Sequence, residues 1–225
     1  MNMNDKKEEV DINKILGITE SYKAPETILN ILYDCKKREK IFLEFLKEYK
    51  NDVSYDWFHE YFENEHSDRK EKKQDFTPNS VSDILNELVG TKNGTTYEVA
   101  AGTGGIIIRK WWKECLNSSP FAYRPSEHFY MCEELSDRAI PFLLFNLMIR
   151  GINAVVIHCD ALSRECKGIF FISNEKDDLL SFSNLNLMPY SKQIENYFNV
   201  KFTDFRYSEI AENTGIGWSF ENEAI

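Results

Sequence analysis

Tyr97-Glu98-Val99-Ala100-Ala101-Gly102-Thr103-Gly104-Gly105, running directly into Ile106-Ile107-Ile108, is the stretch that decides the fold. An extended segment ends in an acid, enters a Gly-rich turn and becomes a helix, the pattern of a nucleotide-type binding corner. Glycines let a backbone turn tightly and approach a ligand closely, and a helix N-terminus offers N–H groups without intrahelical partners. The turn matches neither GxxxxGK[ST] nor GxGxxG. A carboxylate beside it, Glu98, suits a ligand bearing an ammonium group or hydroxyls better than one bearing phosphates.

Downstream, short apolar runs alternate with helical patterns. Residues 97–101 read as the first strand and Ile106 to about Cys115 as its helix. A second strand, Phe129-Tyr130-Met131-Cys132, ends at Glu133-Glu134, and Ser136 then caps a helix through Ile140, Leu143, Leu144, Leu147 and Met148 to Arg150-Gly151. A third strand, residues 154–158, ends at Asp160, and a fourth, residues 168–172, ends at Ser173-Asn174. This alternation predicts an α/β fold with a doubly wound parallel sheet. Ligands of such sheets bind beyond the carboxyl ends of the strands. Glu98, Glu134, Asp160 and Asn174 are the expected constellation. Beyond Asn174 the pattern mixes strand and short helix without a readable order.

Upstream, Thr77 is a good N-cap and Pro78 a good first helical residue. Val81, Ile84, Leu85 and Leu88 predict a buried stripe ending at Gly90, and Phe76 stands just outside that helix. Residues 63–73 are almost wholly polar and charged and read as an exposed linker. The expected organisation is therefore a small helical N-terminal domain with its linker over residues 1–73 and an α/β domain over 74–225. Within the former, residues 25–49 predict an amphipathic helix or a pair broken near Lys36–Lys40, and Tyr55, Phe58, Tyr61 and Phe62 predict core packing of a further helix.

Hydrophobic residues make up 42% and charged residues 28% of the 225-residue chain, a globular profile. There is no run of apolar residues long enough to span a bilayer and no apolar signal-peptide core, so a cytoplasmic protein without membrane contact is expected. Five scattered cysteines without a CxxC pair read as small buried residues, and no metal site is expected. The net charge of −10 argues against strong nonspecific binding to nucleic acid, which depends on Lys and Arg neutralising phosphates.

Acids at successive strand ends match the needs of a nucleoside-bearing cofactor: one for an ammonium, one for ribose hydroxyls, one for the exocyclic amine of adenine. Over residues 74–174 the chain resembles the adenine-N6 DNA methyltransferases of the type I restriction-modification kind. Gln74-Asp75-Phe76-Thr77-Pro78 resembles that family's Gln-x-x-Thr-Pro segment. Residues 98–105 resemble its Asp-Pro-Ala-x-Gly-Thr-Gly-Gly motif, with Glu98 for Asp and Val99 for Pro. Glu134-Leu135 and the helix after it resemble the ribose-binding strand end, and Asp160-Ala161-Leu162 the Gly-Asp-x-Leu segment that holds adenine. The helix-rich N-terminal region is similar to the helical domain of those subunits.

The resemblance implies a Rossmann-like methyltransferase fold and S-adenosylmethionine as cofactor, held by Phe76, Thr77, Pro78, Glu98, Ala100, Gly102, Thr103, Gly104, Glu134, Leu135, Asp160 and Ala161. The family's catalytic Asn-Pro-Pro-aromatic motif is missing. Asn174, in Ser173-Asn174-Glu175-Lys176, alone matches it and is the catalytic candidate. Three readings follow: an adenine-N6 DNA methyltransferase-like subunit that works with DNA or a DNA-binding partner subunit; an inactive relative that regulates or decoys a restriction or other nucleic-acid system through protein binding; and a small-molecule methyltransferase.

Overall fold

The computed structural model describes residues 10–65, 81, 84, 94–118 and 122–213. Four helices open the chain: α1 (Ile12–Leu16), α2 (Ala24–Leu32), α3 (Cys35–Glu48) and α4 (His59–Glu65). The break between α2 and α3 falls at Tyr33-Asp34, earlier than the expected Lys36–Lys40. Asp34 is extended there, and its Oδ1 accepts the Lys37 N–H at 3.1 Å, so a capping carboxylate starts the second helix.

The α/β part follows as β1 (Gly94–Val99), α5 (Gly105–Asn117), β2 (His128–Glu134), α6 (Ala139–Ile149), β3 (Ala154–Cys159), β4 (Glu165–Ser173), β5 (Asn184–Leu187), α7 (Lys192–Phe198) and β6 (Lys201–Phe202). The sheet runs β1-β2-β3-β4-β5, with β6 beside the start of β4. β1, β2 and β3 are parallel. β4, however, runs antiparallel to β3, which corrects the expected parallel fourth strand. Only Asp160 to Arg164 connect the two, whereas a parallel crossover needs about a dozen residues or more. Among the described residues β1 to β5 lie in chain order, and the result is a mixed open sheet in an α/β fold.

Alternation along the strands builds two cores. Tyr130, Cys132, Ala154, Val156, Phe170 and Ile172 face the helical side, while Val155, Ile157, Cys159 and Ile169 face the side where Ile194 and Phe198 of α7 pack. Every residue of α6 is buried. A helix apolar all round needs neighbours on every side, and α2 and α3 lie over α6 with the sheet beneath it. Phe145 meets Phe42 at 4.7 Å and Phe45 at 4.8 Å between ring centroids, and Phe58 meets Phe142 at 4.8 Å. The N-terminal helices thus share one continuous core with the sheet. Tyr55, Phe58, Tyr61 and Phe62 belong to that core or pack against it, as their spacing suggests.

Two further expectations change. Val81 and Ile84 are 41% and 61% exposed, so those two positions of the expected stripe are not buried. Of the five free cysteines, Cys35 is exposed on the first turn of α3 and the other four are buried. No helix among the described residues is long and apolar enough to cross a membrane, and none of their His, Cys, Asp or Glu side chains form a group of three placed to hold a metal.

Candidate functional site

The parallel run of β1, β2 and β3 brings their carboxyl ends to one edge, and with them Glu98, Glu134 and Asp160. After Val99 the backbone takes left-handed conformations at Ala100 (φ 64°), Gly102 (φ 58°) and Gly104 (φ 96°), which curl the chain from strand into α5. Gly104 is required twice: its φ suits glycine, and a Cβ there would lie 2.9 Å from Leu143 Cδ1 of α6.

The turn is held from two sides. On the strand side, the Ala101 N–H donates to the Glu133 carbonyl at 2.9 Å and the Gly102 N–H to Glu134 Oε2 at 2.7 Å. Glu134 Oε1 accepts the Ser136 N–H at 2.7 Å, so this carboxylate ties the turn to the start of the β2–α6 connection. From behind, Thr103 Oγ1 donates a short hydrogen bond to Asp56 Oδ2, and Asn146 Nδ2 donates to Asp56 Oδ1 at 2.7 Å and to the Thr103 carbonyl at 2.8 Å. Arg150, one turn after Asn146, donates to the carbonyls of Val53, Tyr55 and Asn146 and lies over the Trp57 ring. Burial pushes the Asp56 carboxyl up, opposed by its donors and the Arg150 cation, and burial lowers Arg150 to about 10. Buried polar groups persist only when paired, and here the pairing fixes the position of the Gly-rich turn.

Glu98 is the exception. Its Oε2 is buried without a hydrogen-bond partner among the described residues. Burial and the neighbouring Glu134 charge raise the Glu98 carboxyl to about 8. Its strand neighbours point to the opposite face, where Arg164 Nη1 reaches Glu133 Oε2 at 2.7 Å; although burial opposes ionisation, that bond and the Tyr97 hydroxyl hold Glu133 below the usual carboxylate range. Asp160 Oδ1 accepts the Leu162 N–H at 2.8 Å within the β3–β4 turn. Leu135 (56% exposed) and Leu162 (95% exposed) follow Glu134 and Asp160 and present apolar surface beside the acids. Close by, His158 is buried at the end of β3; its Nε2–H donates to the Leu135 carbonyl at 3.1 Å, and Nδ1 meets the Tyr207 hydroxyl at 2.6 Å.

The expected site residues therefore divide. Glu98, Ala100, Gly102, Gly104, Glu134, Leu135, Asp160 and Ala161 gather at the carboxyl edge. Thr103 is fully buried, and its hydroxyl faces Asp56. Phe76, Thr77 and Pro78 lie outside the described residues. Asn174 does not join the site. Because β4 is antiparallel, its end lies beside the start of β3, about 20 Å along the sheet at roughly 3.3 Å per residue. There the Asn174 amide donates to the carbonyls of Gly151, Asp178 and Ser181 at 3.1, 2.7 and 3.1 Å, binding loops together. Asp56, Asn146 and Arg150 escaped the sequence reading, although an Asn and an Arg one turn apart at the end of an otherwise apolar helix are a visible signal.

A model of the N-6 DNA methylase family matches residues 51–222. The chain belongs to that family. The matched region begins before Asp56, so the acid that pins the Gly-rich turn lies inside the N-6 DNA methylase unit rather than in an appendage. No curated protein and no solved structure matches the chain.

Proposed function

We propose that this N-6 DNA methylase family member binds S-adenosylmethionine at the carboxyl edge of β1–β3 and serves as a methyltransferase-like subunit of a DNA modification system. One observation carries the reading: a buried carboxylate oxygen of Glu98 that no described group satisfies, beside a Gly-rich turn flanked by exposed Leu135 and Leu162. An orphaned buried acceptor is costly unless a ligand donor completes it, and the ammonium of S-adenosylmethionine is such a donor. Glu134 has acceptor capacity left for ribose hydroxyls beyond its two backbone bonds, and the half-buried Asp160, bonded to Leu162 and Ser163 in its own turn, has capacity left for an adenine amine. Leu135 and Leu162 suit the flat faces of the base. The cofactor supplies the electrophilic methyl group; these residues bind and orient it. With a net charge of −10, DNA contacts are assigned to a partner subunit or a local patch.

A second reading, an inactive relative acting through a protein partner, is favoured by the position of Asn174 at the wrong end of the sheet. Calorimetric titration with S-adenosylmethionine tests the first. Binding is expected, weakened at least tenfold in Asp160→Ala and Glu134→Ala at retained fold; unchanged affinity in both refutes the site. A radiolabelled transfer assay on unmethylated DNA then separates the readings, since binding without transfer, alone or with added subunits, supports the inactive relative.

A further inference from the structure

Glu134 and Glu98 form an unequal pair. Glu134 accepts two backbone N–H groups at 2.7 Å each, from Gly102 and Ser136. Among the described residues Glu98 has a buried oxygen with no donor, and it faces the Glu134 carboxyl. The titratable groups against Glu98 are Glu134 and Cys132, both on β2, and burial raises the Cys132 thiol well above its usual value, so it stays neutral. Among the described residues no Lys, Arg or His faces Glu98. Below about pH 8 a pair so placed keeps one proton until a positive charge joins it.

We infer that the site binds its ligand by exchange: the empty pair keeps one proton on Glu98, and a cationic ligand displaces that proton to solvent as its ammonium takes the place beside the carboxylate. The inference rests on the proposed cofactor and adds to it a coupling of binding to proton release, with Glu98 as the group that gives up the proton. The balance is complete. The Glu98 carboxylic acid loses its O–H proton to solvent, the electron pair stays on oxygen, and the resulting carboxylate accepts from the ligand's N–H. Burial and the Glu134 charge agree with this, holding Glu98 near 8, above neutral pH.

The test is calorimetry on the full chain at pH 6.5, repeated in buffers of different ionisation enthalpy. Here the α-ammonium of S-adenosylmethionine, with a reference pKa of about 7.7–8.0, is still charged. About one proton released per S-adenosylmethionine bound is expected, with affinity rising about tenfold per pH unit between 6 and 7. 5′-Methylthioadenosine, which keeps the adenosine but lacks the ammonium, should bind with no proton released. Glu98→Gln should bind S-adenosylmethionine more weakly, with neither proton release nor pH slope. Binding of S-adenosylmethionine to the unaltered protein without proton release overturns the exchange and leaves the cofactor reading standing. Absence of binding at every pH overturns both. The buffer series needs no variant, so a Glu98→Gln protein that fails to fold does not shelter the inference.

Discussion

Asp56→Ala isolates the buried network that fixes the Gly-rich turn. The substitution removes the acceptors of Thr103 Oγ1, the Phe58 N–H at 2.9 Å and Asn146 Nδ2 at 2.7 Å. Thr103 and Asn146 are fully buried, so water does not simply replace the lost carboxylate. Asn146 keeps its second bond to the Thr103 carbonyl, and Arg150 keeps its bonds to the Val53, Tyr55 and Asn146 carbonyls, which limits the damage. What Arg150 loses is the larger of the two carboxylate charges, Asp56 and Asp52, that offset its burial. Removing one partner of a buried charged network costs about 3–5 kcal/mol. At roughly 2–4 °C per kcal/mol for a chain of this size, Tm should fall by about 6–20 °C. Asp34→Ala, which deletes a capping acceptor at the exposed start of α3, is the comparison and should cost about 1 kcal/mol. Thermal unfolding by circular dichroism and calorimetry reads both. A Tm for Asp56→Ala within about 2 °C of the unaltered protein, or a loss no larger than that of Asp34→Ala, would refute the claim that this network holds the turn.

Asn174→Ala should lower stability by about 2–3 kcal/mol, because three loop carbonyls lose their common donor, while S-adenosylmethionine affinity stays within about twofold. Loss of cofactor binding or of methyl transfer at unchanged stability would return Asn174 to the site. His158 titrates the fold in acid. Burial lowers its imidazole to about 4, so the unfolded chain binds the extra proton first, and its contribution is complete above about pH 6.5 and lost as pH falls toward 4. The Leu135 carbonyl and Asp137 oppose that shift without cancelling it, the Lys167 and Arg206 cations add to it, and the Tyr207 hydroxyl meets Nδ1. Urea unfolding should lose about 3 kcal/mol over that window through this group alone, and His158→Gln should flatten the curve by that amount. Parallel pH curves for the two proteins would contradict it.

The strand–turn–helix corner was legible because its determinants are local: extended residues, glycines where φ turns positive, then apolar residues at helical spacing. The acids at the ends of β1, β2 and β3 were legible for the same reason, since each closes its own strand. Direction in the sheet was partly legible and misread. The short span between β3 and β4 forbids a helical crossover, and with that the expected place of Asn174 moves to the other end of the sheet.

What the chain alone determined, then, is local chemistry: which segments are strands and helices, where the turn bends, and which carboxylates stand beside it. Only the tertiary structure decided which of these groups meet. Asp56 reaches Thr103 across 47 positions and Asn146 across 90, and no periodicity encodes such pairs. The same packing left one oxygen of Glu98 buried without a partner among the described residues. A carboxylate's charge state is set by burial and neighbours rather than by its place in the chain, so the property that points most directly to a ligand exists only once the fold has formed.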